Sequence, residues 1–423
     1  MDKLRAGAPA GRGAAEKPAA EKRAVAEGQV AKKLAAGNPA AVSQAAENRG
    51  AAGGQPSDGR AAMTVCGPVA PGEIGLASMS EHVMYDGGFL RERLLGRLRP
   101  HSLPISEGDK LCLENVGILQ KNCVLAWDAL RQDDEAAMQK EAMLFGRLGG
   151  GAILDLSVCG TRLGAAALRR ISEATGVRIV ASSGFEAADA RPAEFSEASA
   201  GSAGVGAYLA HIRREIGEGI DGTGVRAGHV YAGLLDFGPA EECALRAAAR
   251  ACGESGLSMT VKLWRGAGCA GRAMKILAEE GADLARVIFA NVPLTTTPGF
   301  ADALRDPTLY RPDTESAKAI LARGCSISYE FSNMMGLELA DVYNAGDWAP
   351  ISALVALIRE GYAAQIVVGT GCAGKIALHQ SGGEGFCRLF YRGIPVLRDA
   401  AGVSDYALRL IMRRNPATLL SAR

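Results

Sequence analysis

The sequence lacks the features that mark a membrane-bound or nucleic-acid-binding protein. Its formal net charge is only +1 at neutral pH over 423 residues, and a chain near neutrality gives no reason to expect a nucleic-acid partner. No uninterrupted apolar run approaches the length that a membrane-spanning helix needs. The sequence therefore predicts a protein that binds neither nucleic acid nor membrane.

The sequence has ten cysteines but no Cys-x-x-Cys pair, the spacing found in many metal-binding and redox sites. It also lacks an apolar stretch near its N-terminus of the kind that directs secretion. Disulfides form and persist mainly in oxidising compartments. We therefore expect a cytoplasmic protein whose cysteines are reduced and buried.

Residues 1–61 contain no aromatic side chain and consist mainly of Ala, Gly, Lys, Glu, Arg, Pro and Gln. Such a segment cannot bury enough apolar surface to offset the entropy that ordering costs. We predict a disordered N-terminal tail over residues 1–61, with a weak polyanion-binding arm as the alternative because the tail is mildly basic. The folded domain is then predicted over residues 62–423.

From residue 63 onward, short β-rich runs alternate with Ala- and Leu-rich amphipathic segments. Strands are predicted near residues 74–82, 151–157, 177–184, 225–231, 257–263, 286–291, 326–331 and 365–371. Such alternation predicts parallel strands, and eight units in about 350 residues favour a (β/α)8 TIM barrel. An open doubly wound sheet is the alternative, but it lacks its expected glycine fingerprint after the first strand. A long excursion over residues 83–110 and a helix over residues 122–148 are predicted between the first two strands.

The functional site of a (β/α)8 barrel lies at the carboxyl ends of its strands. The side chains predicted at that end are Ser80, His82, Tyr231, Lys262, Asn291, Glu330 and Gly371. This mixture of hydroxyl, amide, amine and carboxylate groups suits the binding of a small molecule as well as catalysis.

Several segments have a familiar order and spacing. They are Thr-Val-Cys-Gly-Pro at 64–68, Glu-His at 81–82, Gly-Thr-Arg-Leu-Gly at 160–164, Gly-Thr-Gly-Val-Arg-Ala-Gly at 222–228, Gly-Gly-Glu-Gly-Phe at 382–386 and Asn-Pro-Ala at 415–417. Together they resemble the phosphotriesterase family of the amidohydrolase superfamily, including its phosphotriesterase-related and lactonase branches. The resemblance covers roughly residues 63–423. It implies a barrel with hydrolase ancestry and a possible homodimer.

The resemblance also implies a binuclear metal centre, usually zinc, whose bridging hydroxide attacks phosphorus or a carbonyl carbon. Of the six implied ligand positions, only that of His82 keeps its ligand type. The other five hold Ser80, Tyr231, Lys262, Asn291 and Gly371. A catalytic zinc normally needs three protein ligands, and a protonated lysine repels a cation. We therefore expect no cofactor, with a rearranged site of His82, His229 and Glu330 as the alternative.

Lys262 admits three interpretations. Its charge could stand where the metals would be and stabilise an anionic substrate or intermediate. A neutral Lys262 could instead be a Schiff-base nucleophile, with Tyr231 or Glu330 as the proton carrier. It could also pair with Glu330 and only repair the emptied site. The first two interpretations make Lys262, Tyr231 and Glu330 the candidate catalytic residues.

The segment 369–375 has the Gly-x-x-x-x-Gly-Lys spacing of a phosphate-cradling loop, but Ile376 follows it where a nucleotide-binding loop has Ser or Thr. Backbone N–H groups and Lys375 could still bind an anion there, or the glycines could serve only a tight turn. Arg265, next to Trp264, could supply a guanidinium. The predicted substrate-binding residues are Ser80, Asn291, Arg265, Gly371 and Lys375.

Three functions follow from these observations. The first is a divergent hydrolase that acts on or binds a small anionic or carbonyl-containing molecule, such as an ester, lactone or phosphorus ester, without the usual metals. The second is a non-catalytic protein that uses the barrel mouth as a ligand pocket. The third is a metal-dependent hydrolase with a rearranged site.

Overall fold

The computed structural model describes residues 59–97, 104–195, 202–264, 267–296, 298, 300–332 and 348–422. The predicted tail lies almost entirely outside these residues, as does Arg265, so both assignments stay predictions. No helix within the described ranges is long and apolar enough to cross a membrane. All ten cysteines are free. Six of them are buried, as expected, but Cys66 and Cys112 are exposed, and Cys159 and Cys269 are only partly buried.

Thirteen strands occur in the described part of the chain, and eight of them form one parallel sheet. The strands are β1 (Ala61–Thr64), β2 (Gly67–Val69), β3 (Leu76–Glu81), β4 (Tyr85–Asp86), β5 (Arg131–Gln132), β6 (Gly150–Asp155), β7 (Arg178–Phe185), β8 (His229–Leu234), β9 (Met259–Leu263), β10 (Val287–Ala290), β11 (Ser326–Glu330), β12 (Ile366–Gly369) and β13 (Ser421–Ala422). The parallel sheet runs β3-β6-β7-β8-β9-β10-β11-β12, so each strand lies beside the next in the chain. The predicted strand-and-helix alternation is confirmed.

The α-helices of the described residues are mostly the crossovers between the barrel strands. They are α1 (Phe89–Leu94), α2 (Val116–Leu119), α3 (Trp127–Leu130), α4 (Glu135–Arg147), α5 (Ala165–Thr175), α6 (Ser202–Gly217), α7 (Pro239–Ser255), α8 (Ala270–Glu279), α9 (Phe300–Arg305), α10 (Glu315–Leu321), α11 (Trp348–Arg359), α12 (Asp405–Arg409) and α13 (Asn415–Leu420). Short 3-10 and π-helical turns connect several of them. The predicted (β/α)8 architecture is thereby confirmed.

The first and last barrel strands approach each other just beyond their carboxyl ends. The N–H of Gly371 donates to the carbonyl of Ser80 at 2.9 Å, and the N–H of His82 donates to the carbonyl of Cys372 at 3.1 Å. These bonds join the segments that follow β12 and β3, so the barrel is nearly closed. The residues at the carboxyl ends of all eight strands consequently face one shared mouth.

The opposite end of the barrel is covered by a small antiparallel sheet in the order β13-β1-β2. The N–H of Val65, just after β1, donates to the carbonyl of Ile179 at the start of β7. Gly228, just before β8, lies so close that a Cβ there would be 2.1 Å from the carbonyl oxygen of Met63. The amino-terminal end of the barrel is therefore closed by backbone, which leaves the carboxyl end for the site.

The prediction of one helix over residues 122–148 is wrong. A 3-10 turn, the short helix α3 and strand β5 precede α4, which begins at Glu135. Asp134 ends the irregular stretch because its side chain caps α4, accepting from the N–H of Ala137 at 3.1 Å. The residues before α4 fold back over the mouth, where β5 pairs with β4.

Closure of the barrel also depends on Glu81, whose side chain is fully buried at the end of β3. Its carboxylate accepts from the N–H and hydroxyl of Thr370, each at 2.7 Å, from the N–H of Cys372 at 2.9 Å and from the hydroxyl of Ser78. Burial raises the pKa of Glu81 from about 4.5 to about 7, against the effect of these donors. Glu81 thus binds the loop after β12 to the first strand.

The pKa of Glu81 predicts a pH dependence of stability. Between pH 4.5 and 7 the folded protein keeps a proton on Glu81 that the unfolded chain releases. The free energy of unfolding should therefore fall as pH rises through this window, by on the order of 3 kcal/mol from this group. Glu81→Gln has no group that titrates at this position. The difference in free energy of unfolding between wild type and variant should therefore shrink as pH rises. Urea unfolding of both proteins at pH 5 and pH 7.5 measures this difference. An equal difference at both pH values would contradict a raised pKa of Glu81.

Candidate functional site

The carboxylate of Glu330, at the end of β11, lies at the centre of the barrel mouth. Its Oε1 accepts from the hydroxyl of Ser80 at 2.6 Å and from the ammonium of Lys262 at 3.4 Å. The side chains of Lys262 and Glu330 are only 7% and 15% exposed. Three residues that the sequence places at strand ends therefore form one buried ionic cluster.

Gly371 makes room for this cluster. It has a φ of +59°, and a Cβ at this position would lie 2.7 Å from Oε2 of Glu330. The Glu330 carboxylate therefore occupies the space beside the end of the eighth strand, where the resemblance implies an Asp ligand. A residue larger than glycine at position 371 would clash with the Glu330 carboxylate in its observed position.

A second buried carboxylate, Glu186, lies beside the first cluster and was missed by the sequence analysis. Its Oε2 accepts from the hydroxyl of Tyr231 at 2.8 Å, and its Oε1 accepts from the indole N–H of Trp264 at 2.7 Å. Gly233 permits this position, because a Cβ there would lie 2.2 Å from Oε1. Its position in the chain could have indicated Glu186, because β7 continues to Phe185 and Glu186 directly follows this barrel strand.

Tyr231 is fully buried and is held as a hydrogen-bond donor to Glu186. Burial raises the pKa of its phenol well above the ordinary value, and the negative charge of Glu186 raises it further. The hydroxyl therefore keeps its proton near neutral pH. Tyr231 positions Glu186 and, through it, Trp264.

Trp264 lies close to two cations. The ammonium of Lys262 is 5.0 Å from the centroid of its ring system, and the guanidinium carbon of Arg93 is 4.5 Å from it. Arg93 comes from α1, in the excursion that covers the mouth, and was not predicted as a site residue. Such cation contacts with an indole stabilise both the ring and the charges.

His82 is held by a chain of hydrogen bonds below the mouth. Its Nδ1 is 3.2 Å from the hydroxyl of Ser157, which itself donates to Oδ1 of Asp155 at 2.7 Å. The imidazole also stacks on the ring of Tyr85, with centroids 4.1 Å apart. Burial, together with the charge of Lys262, lowers the pKa of His82 well below its ordinary value. The imidazole is therefore neutral and donates from Nδ1 to Ser157.

The residues at the mouth do not fit a divalent metal. His82 alone keeps a ligand side chain, while the ammonium of Lys262 lies among the implied ligand positions. Across the ranges that the structure describes, no group of three or more His, Cys, Asp or Glu side chains is arranged to hold a metal ion. A carboxylate paired with an ammonium is also a poorer ligand than a free one.

The rearranged site of His82, His229 and Glu330 is not assembled either. His229 is the first residue of β8, at the amino-terminal end of the barrel, whereas Glu330 lies at the carboxyl end of β11. Both of its nitrogens are bonded, Nδ1 to Ser258 Oγ at 2.9 Å and Nε2 to Thr260 Oγ1 at 2.8 Å. Burial lowers the pKa of His229 to about 3. It is a neutral core histidine.

The glycine-rich loop after β12 makes its hydrogen bonds within the protein. The N–H groups of Thr370 and Cys372 donate to Glu81, and that of Gly374 donates to Oε1 of Gln132 at 2.7 Å. The ammonium of Lys375 pairs with Asp128 at 2.9 Å. These contacts favour the structural interpretation of the loop, and a role of Lys375 in substrate binding stays a prediction.

Asn291 lies directly after β10 and is partly exposed. Its backbone is in the left-handed region, with a φ of +58°, a conformation that Asn tolerates better than most residues. It borders the mouth from the strand next to Lys262, as predicted from its position. A role in substrate binding is not shown by any contact in the described residues.

The fold and the mouth together define a class: a (β/α)8 barrel whose polar site lies at the carboxyl ends of its strands. Within that class the chain belongs to the phosphotriesterase family, whose sequence profile matches residues 61–420. It is 23% identical over 366 residues to the N-acetyltaurine hydrolase of Rattus norvegicus, an alignment that covers 85% of this chain and 97% of the relative.

Solved structures agree with this assignment. The chain is similar to a resiniferatoxin-binding protein from Rhodobacter sphaeroides, with a TM-score of 0.70, 26% sequence identity, and coverage of 86% of this chain and 96% of that one. It also has the fold of the lactonase Lmo2620 from Listeria monocytogenes, with a TM-score of 0.63, 21% identity, and coverage of 86% and 99%. The family resemblance read from the sequence is therefore confirmed.

The geometry at Gly371 predicts the effect of adding one methyl group. Gly371→Ala would place a Cβ against Glu330 at a positive φ, so we expect a loss of unfolding free energy on the order of 2–4 kcal/mol. Gly402→Ala is the matched control, because Gly402 has a φ of +67° with no atom within 4 Å of the added Cβ. Gly402→Ala should lose only about 1 kcal/mol of unfolding free energy, because it strains the backbone without a clash. Urea unfolding measures both variants, and equal losses would show that Glu330 does not occupy the space beside Gly371.

Proposed function

We propose that this protein is a phosphotriesterase-family hydrolase that uses Lys262, rather than a binuclear metal centre, to stabilise negative charge in the reaction. The observation that carries this proposal is the buried contact between Lys262 and Glu330 at 3.4 Å, among the implied ligand positions. The proposed substrate is a small molecule with an ester, lactone, phosphorus ester or related carbonyl group. It binds at the mouth of the barrel.

Lys262 is the proposed electrostatic catalyst. A fixed positive charge in a poorly solvated site stabilises an oxyanion more strongly than the same charge would in water. A Schiff-base nucleophile would need an amine that is not engaged with an anion, whereas the side-chain nitrogen of Lys262 contacts Oε1 of Glu330 at 3.4 Å. The arrangement therefore supports the electrostatic role over the covalent one.

Glu330 is the proposed general base for the attacking water. Its carboxylate is held by Ser80 and Lys262 and is partly reachable from solvent, so a water molecule at the mouth can donate to it. Ser80 fixes the orientation of the carboxylate. Tyr231 acts less directly, because its hydroxyl is committed to Glu186.

The relatives support hydrolysis as the reaction class. The chain aligns over 85% of its length with N-acetyltaurine hydrolases from several vertebrates. This similarity at 23–24% identity supports the class of reaction and leaves the substrate open. An amide is accordingly one of the groups that the protein is proposed to hydrolyse.

Binding without catalysis is the second candidate function. It is favoured by the internal pairing of the polar groups at the mouth, where Ser80 and Lys262 both contact Glu330 and Tyr231 donates to Glu186. The name of the similar resiniferatoxin-binding protein also describes binding. Under this alternative the same mouth holds a ligand, and Lys262 contributes affinity only.

Replacing Lys262 tests the proposed role. Lys262→Met keeps much of the side-chain volume and removes the charge, so kcat/KM on a hydrolysed ester, lactone, phosphotriester or amide should fall on the order of a hundred- to a thousandfold. Lys318→Met is the control, since Lys318 pairs with Glu360 at 2.9 Å away from the mouth and should leave activity within twofold.

The folded state of both variants is checked by circular dichroism before kinetics. Turnover by Lys262→Met at the wild-type rate would show that Lys262 has no role in the mechanism. Absence of turnover by the wild type on every class in the panel, combined with saturable ligand binding, would instead favour the binding protein.

A further inference from the structure

The excursion over the barrel mouth carries donors that the proposed chemistry does not use. We propose that Arg93 and Tyr85 form an anion subsite next to Lys262, which holds a carboxylate, phosphate or sulfonate group of the substrate. This inference rests on the proposed function and extends it: the substrate carries an anionic group in addition to the bond that is hydrolysed. Three observations lead to it.

The first observation is an unpaired N–H group on Arg93. Its Nε and Nη2 donate to Asp189 at 2.7 and 2.5 Å, while Nη1 is buried and has no hydrogen-bond partner. The side chain as a whole is only 8% exposed. A buried guanidinium N–H without an acceptor is costly, and a bound ion or ligand is a common explanation for such a group.

Arg91 shows what a purely structural arginine looks like in the same helix. Its guanidinium also lies over an indole, 5.4 Å from the ring centroid of Trp127. Its Nη1 donates to the carbonyls of Val124 and Leu125 at 2.6 and 2.7 Å, and its Nη2 donates to Glu107 at 2.9 Å. The corresponding Nη1 of Arg93 has no such carbonyls to bind.

The second observation concerns Tyr85, which is 2% exposed and stacks on His82. Its hydroxyl makes no hydrogen bond to the rest of the described structure. An ordinary phenol is protonated near neutral pH, so the Tyr85 hydroxyl offers a second donor from the same excursion as Arg93.

The third observation is that Arg93 and Lys262 both lie close to the ring of Trp264. The two distances to its ring centroid, 4.5 and 5.0 Å, limit the separation of the two cationic groups to 9.5 Å. A small molecule can span that separation with its hydrolysed bond at Lys262 and its anionic group at Arg93. The hydrogen bond from the indole N–H to Glu186 holds the ring in place.

The chemistry of the donors defines the class of ligand group. Arg93 and Tyr85 offer N–H and O–H groups, and the carboxylates nearby, Glu186 and Asp189, are already bonded. A carbonyl or hydroxyl oxygen can accept from these donors, but an anionic oxygen cluster also gains charge attraction to Arg93 and Lys262. An anionic substituent is therefore the group that completes the subsite.

Binding of simple anions tests the subsite without knowledge of the substrate. Acetate, inorganic phosphate and sulfate are titrated into the full-length protein by calorimetry, at constant ionic strength. Wild type should bind at least one of them saturably. Arg93→Lys should weaken that binding on the order of ten- to a hundredfold, because a lysine keeps the charge but loses the planar donor pair.

Two further variants separate the subsite from a general effect on the fold. Tyr85→Phe keeps the stack on His82 and removes only the hydroxyl, so it should weaken anion binding several-fold with an unchanged melting temperature. Arg91→Gln, the matched control, should have a dissociation constant for the anion within twofold of the wild-type value. Saturable binding that Arg93→Lys and Tyr85→Phe leave unchanged would overturn the proposal, as would the absence of binding of all three anions.

Kinetics with paired 4-nitrophenyl esters separates this inference from the proposed function. The carboxylate-bearing 4-nitrophenyl hydrogen succinate should have a lower KM than 4-nitrophenyl acetate, and Arg93→Lys should remove that advantage with a smaller effect on kcat. If neither these esters nor any other class of the substrate panel is hydrolysed but anions still bind through Arg93, the subsite stands and catalysis fails. If both esters are hydrolysed with equal KM, the subsite fails and catalysis stands.

Discussion

The ion pair between Lys262 and Glu330 determines the character of the barrel mouth. Burying two charges is costly unless they are paired and hydrogen-bonded, and this pair meets both conditions through the 3.4 Å contact and the hydroxyl of Ser80. Gly371 then leaves the space that the Glu330 carboxylate fills. Three of the residues at the implied metal-ligand positions, Ser80, Lys262 and Gly371, therefore lie against the same carboxylate.

Two further carboxylates support that arrangement from either side. Glu186 fixes Tyr231 and Trp264, so the indole stays against Lys262. Glu81 joins the first strand to the loop after the eighth, and it takes up the N–H groups that a phosphate-binding loop would offer to a ligand. Three glutamates, Glu330, Glu186 and Glu81, thus place buried negative charge at the carboxyl end of the barrel.

The barrel could be predicted from the sequence because each strand is a short apolar run and each crossover has helical periodicity. Lys262 and Glu330 were found because they end such runs. Glu186 was not, since the predicted strand stopped two residues before it. Arg93 and Tyr85 were out of reach because they come from an irregular excursion, whose position over the mouth depends on tertiary contacts rather than on local pattern. The hydrogen-bond partners of the loop at 369–375 could not be predicted for a related reason: two of its N–H groups donate to Glu81, which is distant in sequence.

Lys262 and Glu330 are proposed to stand in place of the metals. Metal content tests this proposal most directly: the purified protein is analysed for metals as isolated, and again after incubation with zinc or manganese and removal of the unbound ions. We expect no stoichiometric metal in either sample, because the side chain of Lys262 lies among the implied ligand positions. Retention of about two equivalents per chain, the number a binuclear centre holds, would contradict it and restore metal-bound hydroxide as the nucleophile.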